Sequence, residues 1–472
     1  PMPLCNCGGL RIAILDSKAS TIAERHRPTA TELIEKCRQC AMRIEDGLSL
    51  LRQPDSQGDV ARKAFRLANH AMLVAQLRSR QELRLPDRDV SGRLTWSRPM
   101  AAVDPAARND KQGYWRPFQI AFLLMSLRGI CDPAHQDRKV VDLIWFPTGG
   151  GKTEAYLGLT AFTVFFNALS GVPNGGVDVL MRYTLRLLTA QQFQRAATLF
   201  CAMEQLRRKD TASLGSRPFR IGLWVGSAAT PNKRDDAVEK LKALQRDPDA
   251  ENPYVLLRCP WCAAKFGPHE AASLSTQRTN GRRGRQASGA HVYGYSKERG
   301  PAGDTVVFRC GDGSCEFGGL PGPSTPPLPI VVIDEDLLDA PPNLLIGTVD
   351  KFAMLAWTPA ARSIFGLDDS GRHRGAPPDG KSLRSTLRRH PACVESTLRL
   401  DIARGTRAIR ARGEGATDKS CLRSRKRDCC RRREEAALSL SGLNRQSKPI
   451  TQGTLRATSA HQQSISAEHH TT

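Results

Sequence analysis

The sequence predicts an α/β fold in which helices flank a parallel β-sheet. Short apolar, β-rich segments alternate along the chain with stretches whose apolar residues recur at helical spacing. A glycine-rich loop lies between one of these segments and the apolar helical pattern that follows it. The segments that we predict as strands are 140–146, 177–181, 221–225, 330–333 and 344–347.

The N-terminal part of the sequence predicts helices. Between residues 29 and 51 an apolar stripe recurs at the 3.6-residue period, and residues 60–83 repeat the pattern. A further apolar helical run covers 120–127. The predicted organisation is a helical region over 1–108, an α/β domain over 109–250 and 328–379, a cysteine-bearing insertion over 251–327, and a basic tail over 380–472.

Composition favours a polyanionic partner. The 472 residues carry 70 Lys and Arg against 47 Asp and Glu, a net charge of +23, which points to nucleic acid before a membrane surface. No segment reaches the roughly 18 uncharged apolar residues of a membrane helix, and residues 1–21 lack the apolar centre of a signal peptide. We therefore expect a cytosolic protein with no membrane partner, in which the 14 cysteines serve as metal ligands or free thiols.

The last 92 residues differ from the rest of the chain. They carry 20 Lys and Arg against 8 Asp and Glu, and the 15 Phe, 6 Tyr and 6 Trp residues all lie at or before Phe365. Such a segment buries little apolar area, so we expect it to be disordered or loosely helical. Basic runs at 282–285, 423–427 and 431–433 can bind a nucleic-acid backbone, although solvated basic loops do so without specificity.

The strongest chemical signal is the loop Pro147-Thr148-Gly149-Gly150-Gly151-Lys152-Thr153. Consecutive glycines allow backbone N–H groups to surround phosphate oxygens, the lysine neutralises their charge, and the threonine hydroxyl can ligate Mg²⁺. A predicted strand precedes the loop and a predicted helix follows it, so the helix N-terminus faces the phosphates. The alternative is a glycine turn with an exposed lysine.

This loop resembles the Pro-Thr-Gly-x-Gly-Lys-Thr motif of superfamily 2 helicases, and three further features agree with that family in order. Gln119 is placed like the glutamine that reads adenine, although a surface helix glutamine is equally compatible. Arg182 and Thr184 match a motif that grips single-stranded DNA, and Thr348 and Lys351 match the next one. Taken one at a time, these two motifs are also compatible with ordinary strand–loop–helix connections. The resemblance implies a RecA-like first motor domain that uses ATP and Mg²⁺.

Five segments carry a more specific resemblance. They are 143–159 (LIWFPTGGGKTEAYLGL), 181–196 (MRYTLRLLTAQQFQRA), 221–232 (IGLWVGSAATPN), 344–357 (LLIGTVDKFAMLAW) and 65–77 (FRLANHAMLVAQL). Together they closely resemble the helicase subunit of bacterial DISARM phage-defence systems. This resemblance implies an ATP-dependent DNA helicase or translocase that works beside a methyltransferase and other defence subunits.

One departure from the helicase pattern concerns its metal-binding carboxylates. The Asp-Glu-x-His box expected soon after Lys351 is missing at residue 380, and no second motor domain follows. Asp334 and Glu335 follow four apolar residues and match the first two residues of this box. The alternative is that they only mark the end of a strand. We hypothesise a frameshift or a degenerate end near residue 380. The alternative functions are an ATP- and nucleic-acid-binding module without turnover, and another phosphate-loop enzyme such as a small kinase, for which no acceptor pocket is evident.

Two cysteine pairs predict a structural zinc site. Cys259 and Cys262 are separated by two residues, Cys310 and Cys315 by four, and four thiolates can surround Zn²⁺ as in a zinc ribbon. The long separation of the pairs leaves free thiols as the alternative, and His269 is a substitute ligand. Cysteines 5, 7, 37 and 40 are interpreted as small core residues or exposed thiols.

Overall fold

A parallel sheet organises the structure, a computed structural model. It describes residues 13–19, 21–91, 93–107, 113–144, 150–171, 175–183, 186–227, 229–269, 291–319, 325–368 and 392–394. All of these residues belong to one unit that ends at residue 396. The predicted tail lies outside the described residues apart from 392–394.

The sheet has the strand order β11-β3-β10-β4-β9 with every pair parallel. Its strands are β3 (Val179–Tyr183), β4 (Ile221–Trp224), β9 (Ile330–Val331), β10 (Leu344–Thr348) and β11 (Ala392–Val394). All five residues of β10 are buried, because it pairs with a strand on each side. Since the strands are parallel, their carboxyl ends Tyr183, Trp224 and Thr348 lie on the same side of the sheet.

Four of the five predicted strands are confirmed within two residues at each end. The strand predicted at 140–146 is wrong over its described part, because residues 140–144 form no strand. Val140, Val141 and Leu143 are exposed, Leu143 to 68%. An apolar run becomes a strand only when a neighbouring strand accepts its hydrogen bonds, and no described strand lies beside it.

Helices surround the sheet. The main helices are α1 (Arg27–Arg52), α2 (Ser56–Arg78), α3 (Pro117–Cys131), α4 (Lys152–Leu169), α5 (Arg186–Lys209), α6 (Thr211–Leu214), α7 (Arg234–Arg246), α8 (Asp334–Asp339) and α9 (Val349–Ala353). Short 3₁₀ turns cover Glu24–His26, Pro105–Ala107, Gln136–Lys139, Met354–Ala356 and Pro359–Phe365. Helices in the N-terminal region are therefore confirmed as far as Arg78. The predicted region 1–108 is not helical throughout, because Pro86–Arg88 and Leu94–Trp96 are strands.

Helix α2 shows why this region is helical. Asp55 caps it by accepting a hydrogen bond from the Gly58 N–H at 2.7 Å. Alanines at helical spacing line one buried face, which packs on α4 and α5. Their small side chains bring the helix axes close together. The helix ends at Arg78, five residues before the predicted end, and Leu83 is exposed.

Three short antiparallel strand pairs accompany the sheet. The pair β1 (Pro86–Arg88) with β2 (Leu94–Trp96) lies within the region 1–108 that was predicted to be helical. The insertion contains the pairs β5 (Gly267–His269) with β6 (His291–Tyr293), and β7 (Tyr295–Gly300) with β8 (Gly303–Phe308). The Tyr254 and Tyr295 rings lie 4.4 Å apart under the last pair. One apolar core includes this region, helices α2 to α5 and the sheet, so the insertion is packed against the α/β part. Among the described residues, no helix is long and apolar enough to cross a membrane.

Candidate nucleotide site and metal centre

The described end of the glycine loop consists of Gly150 to Thr153. Gly151 has a φ of +89°, the left-handed region that favours glycine, and it immediately precedes the first residue of α4, Lys152. A β-carbon at Gly151 would also lie 2.7 Å from the Gln119 side-chain nitrogen. Pro147, Thr148 and Gly149 lie outside the described residues. The loop therefore enters the helix through a position that only glycine fits.

Gln119 holds this end of the loop. Its Nε2 donates to the Gly151 carbonyl oxygen at 2.7 Å, and its Oε1 accepts from the Arg116 backbone N–H at 2.8 Å. The Arg116 guanidinium donates to the Gly150 carbonyl oxygen at 2.7 Å. Gln119 is 4% exposed, so it is not the surface helix glutamine of the alternative interpretation. Two segments far apart in sequence thus meet at the start of α4.

The first turn of α4 is tied to α5 as well. Glu154, two residues after Lys152, forms an ion pair with Arg195 on α5. The carboxylate in the first turn is favourably placed near the positive end of the helix dipole. This contact fixes α5, which follows β3, against the helix that begins at the loop.

Asp334 lies at the start of α8 and forms an ion pair with Lys351. The Lys351 ammonium is 2.6 Å from one carboxylate oxygen and 3.3 Å from the Asn232 side-chain oxygen. The second carboxylate oxygen, Oδ1, is buried without a hydrogen-bond partner. Burial raises the pKa of Asp334, and Lys351 lowers it in part.

Glu335 has a different partner from Asp334. Its carboxylate accepts a hydrogen bond from the Arg234 backbone N–H at 2.9 Å. The Arg234 side chain pairs with Asp336 at 2.6 Å and with Asp339. These acidic groups therefore bind the start of α7 to α8.

The predicted DNA contacts occupy the carboxyl edge of two adjacent strands. Arg182 lies on β3 opposite Gly347 of β10, and Thr348 ends β10 opposite Tyr183. Thr348 is buried, and Thr184 lies outside the described residues. Strand β9, which leads to Asp334, is separated from β3 by two strands. The structure thus groups Arg182 with Thr348 and Lys351 with Asp334.

The four predicted cysteine ligands converge. The sulfur atoms of Cys259, Cys262, Cys310 and Cys315 all lie within 4.8 Å of one another, and all four residues are buried. The Cys262 and Cys310 sulfurs are 3.4 Å apart. Tetrahedral zinc with bonds of about 2.3 Å places its sulfurs about 3.8 Å apart, so this donor set fits Zn²⁺.

A tight turn orients the two thiols of each cysteine pair towards the other pair. In the first, the Ala263 N–H donates to the Cys259 carbonyl oxygen at 3.0 Å; in the second, the Cys315 N–H donates to the Asp312 carbonyl oxygen at 3.0 Å. Hydrogen bonds from the other three thiols lower the pKa of Cys262, whereas burial raises the pKa of Cys259. A bound cation would favour ionisation of all four thiols.

Residues that the sequence analysis did not single out brace this centre. Arg84 forms a buried ion pair with Asp312 at 2.7 Å and donates to the Cys262 carbonyl oxygen at 3.4 Å. The Arg78 guanidinium stacks 4.2 Å above the Trp261 ring. Arg78 ends α2 and Arg84 follows it, and Arg84 lies 178 positions before Cys262, so no local pattern could reveal them.

The other metal-ligand candidates remain apart from this cluster. His269, the substitute ligand, lies in β5 opposite His291 and is not part of the four-thiol group. Cys37 and Cys40 on α1 are exposed thiols. Cys5 and Cys7 lie outside the described residues.

Fold and site together define a parallel α/β protein with a buried four-cysteine centre. No family model matches the chain. The chain is similar to DISARM protein DrmA of Bacillus paralicheniformis, with 33% identity over 348 residues. The alignment covers 71% of this chain and 27% of DrmA, so the chain spans about a quarter of that relative's length. The resemblance to a DISARM protein is therefore confirmed.

Proposed function

We propose that this chain is the nucleotide-binding first motor part of a superfamily 2 DNA helicase or translocase in a bacterial phage-defence system. The similarity to DISARM protein DrmA supports the defence role. The observation that carries the nucleotide site is the bond from Gln119 to Gly151, since it joins two predicted nucleotide motifs that are 32 positions apart.

In this proposal the chain contains a RecA-like domain, and residues 147–151 of its glycine loop bind the ATP phosphates. Lys152 neutralises their charge, and the Thr153 hydroxyl ligates Mg²⁺. Gln119 then has two roles, support of the loop and recognition of adenine. The cofactors are thus ATP and Mg²⁺, and Zn²⁺ at the four cysteines is structural.

DNA would bind along the carboxyl edge of the sheet at Arg182, Thr184, Thr348 and Lys351. Lys351 is already paired with Asp334, so its contact with a DNA phosphate requires the exchange of one anion for another. The net charge of +23 favours the approach of DNA to the chain. Other defence subunits would be further partners, and the setting would be the cytoplasm.

A second candidate function is nucleotide and DNA binding without turnover. Asp334 and Glu335 are the proposed catalytic carboxylates, yet one is paired with Lys351 and the other accepts from Arg234. Mg²⁺ would have to displace the Lys351 ammonium before the Asp334 carboxylate could act as a ligand to the ion. This pairing is the observation that favours a binding module over a motor.

Steady-state ATP hydrolysis with and without single-stranded DNA distinguishes the two functions. A motor should show DNA-stimulated hydrolysis that falls at least about 100-fold in Lys152→Ala. Lys240→Ala is the matched control, because Lys240 is half-buried on α7, away from the loop, and forms an ion pair with Asp236 one turn earlier. ATP binding that Lys152→Ala abolishes, without hydrolysis in the parent chain, would support the module. Failure to bind ATP would contradict both.

A further inference from the structure

A small cavity lies between the end of α2, the middle of α5 and the first cysteine turn. Its volume is about 40 Å³. Three arginines line it, one from each wall: Arg78, Arg195 and Arg258. None of the described residues that line the cavity is acidic. The cavity is therefore electropositive.

Two of the three arginines form no ion pair with a described carboxylate. Arg195 is paired with Glu154. Arg78 and Arg258 have no carboxylate partner among the described residues: Arg258 donates to the Gln81 carbonyl oxygen at 3.4 Å, and Arg78 to that of Ala101 at 3.2 Å. Carbonyl oxygens satisfy these donors without neutralising the guanidinium groups.

The cavity also has buried donors that lack an acceptor. Arg78 is 8% exposed, and its Nε is buried without a hydrogen-bond partner. The side-chain nitrogen of Gln81, which lines the same cavity, is also buried without one. Unpartnered buried donors are rare in folded proteins because each retains its desolvation cost. Arg78 and Gln81 both line this cavity, and we expect an acceptor placed there to satisfy their donors.

We propose that this cavity binds a phosphate group. A phosphate offers several acceptor oxygens and a negative charge, which match two unneutralised guanidinium groups and two unpartnered N–H donors. The volume corresponds to about three water-sized sites, enough for a phosphate group and too small for a base or a sugar. The group can come from a free phosphate-bearing ligand or from a nucleic-acid backbone whose chain continues outside the cavity.

This site is separate from the glycine loop and does not depend on ATP binding. It lies against the cysteine turn that contains Cys259, so a bound phosphate would join α2, α5 and the metal centre. Arg195 provides the one described link to the loop, through Glu154 in the first turn of α4.

Thermal unfolding of the full chain in sodium phosphate, against sodium chloride of equal ionic strength, tests the proposal. The Lys152→Ala background removes phosphate binding at the glycine loop. We expect phosphate at about ten times its dissociation constant to raise the Tm by about 2 °C. Arg258→Gln and Gln81→Met should each abolish that rise. Arg299→Gln, which removes an exposed arginine at the tip of the β7–β8 hairpin, should retain it.

Gln81→Met keeps the test informative if the arginine variant folds poorly. It removes a buried donor that has no partner, so in chloride its Tm should equal or exceed that of the parent. A phosphate-dependent rise that persists in Gln81→Met and Arg258→Gln would overturn the proposal. The absence of any rise in the parent background would also overturn it.

Fluorescence anisotropy with a short oligothymidylate identifies the source of the phosphate. If Arg258→Gln weakens oligonucleotide binding several-fold more than Arg299→Gln does, the backbone of a nucleic acid occupies the cavity. If both variants bind equally while the phosphate-dependent rise in Tm is lost only in Arg258→Gln, the occupant is a free phosphate-bearing ligand. Both outcomes support the cavity as a phosphate site, and neither depends on ATP hydrolysis.

Discussion

The four-cysteine cluster and the glycine loop are built in different ways. In the cluster, two short turns supply all four thiols, and the described residues contain all four candidate metal ligands. At the loop, the described residues provide only its last part, with Gln119 and Arg116 holding two carbonyl oxygens. The carboxylates proposed for catalysis follow β9, which is separated from β3 by two strands.

This difference shows what fixes a site in place. A cysteine turn aims its thiols through hydrogen bonds between near neighbours, so four cysteines suffice to define the centre. A nucleotide site at the edge of a parallel sheet depends on which strands are neighbours. The exposed run 140–144, which precedes the loop, has no described strand beside it. Among the described residues, the contacts that hold the loop come from Arg116 and Gln119 at the start of α3.

Removal of the metal should have the largest effect. Cys310→Ser leaves three thiols, and we expect bound zinc to fall from about one to below about 0.1 per chain. Because structural zinc contributes on the order of 10 kcal/mol to folding, residues 251–319 should become sensitive to protease. Metal analysis and limited proteolysis measure both effects.

Cys37→Ser is the control for the zinc prediction, since Cys37 is an exposed thiol on α1. Its zinc content and protease resistance should match those of the parent chain. A parent chain that contains no metal and four reactive thiols would show that the cluster is a thiol core instead.

Loss of the buried ion pair between Arg84 and Asp312 should have the next largest effect. Arg84→Met leaves the Asp312 carboxylate buried without its cation, and we expect the free energy of unfolding to fall by about 3 kcal/mol. Arg98→Met, which breaks an exposed pair with Glu82, should cost less than about 1 kcal/mol. Denaturant unfolding measures both values.

A double variant tests whether this cost comes from the unpaired carboxylate. Arg84→Met with Asp312→Asn removes both charges and should recover part of the loss. Equal losses in the single and double variants would show instead that Arg84 acts through its contact with the Cys262 carbonyl oxygen.

Local patterns predicted much of this structure. The helical N-terminal region followed from the 3.6-residue period, and four strands followed from short apolar runs. The four thiols followed from their pairwise spacing, because turn geometry at a metal site is encoded within a few residues. The strand at 140–146 was wrong in its described part, since pairing depends on a neighbour elsewhere in the chain.

Contacts between distant segments could not be predicted. Gln119 was singled out by its distance from the loop, but its bond to the Gly151 carbonyl oxygen depends on how α3 packs beside α4. The ion pair between Asp334 and Lys351 joins two residues that the sequence assigned to different roles. Parallel strand order brings them together, and sequence spacing carries no information about that order.

The Asp334–Lys351 pair should have a smaller effect that depends on pH. Lys351→Met removes the cation that lowers the pKa of Asp334, so this pKa rises further above its unfolded value. A raised folded pKa means that stability is greatest below the unfolded pKa and declines as the pH rises through the folded pKa. We therefore expect the variant to lose about 2 kcal/mol at pH 7.5 and less at pH 5.

Denaturant unfolding of the parent and Lys351→Met at both pH values checks this sign. Lys351→Met with Asp334→Asn should show no such pH dependence, because the titrating group is gone. A deficit in Lys351→Met that grows towards acid pH would mean that Asp334 is not the group responsible.

Gln119→Ala should have the smallest effect on stability and the most informative effect on nucleotide choice. The Gly151 carbonyl oxygen and the Arg116 N–H both lose a partner, at an expected cost of about 1–2 kcal/mol in unfolding free energy. If Gln119 also recognises adenine, ATP affinity should fall while GTP affinity changes little. If it only supports the loop, the two affinities should fall by the same factor, since the phosphate site is common to both.

Equilibrium binding of fluorescent ATP and GTP analogues separates these outcomes. Gln57→Ala, which removes one half-buried amide at the start of α2, is the matched control. Unchanged affinity for both nucleotides would show that the bond to Gly151 serves the fold alone.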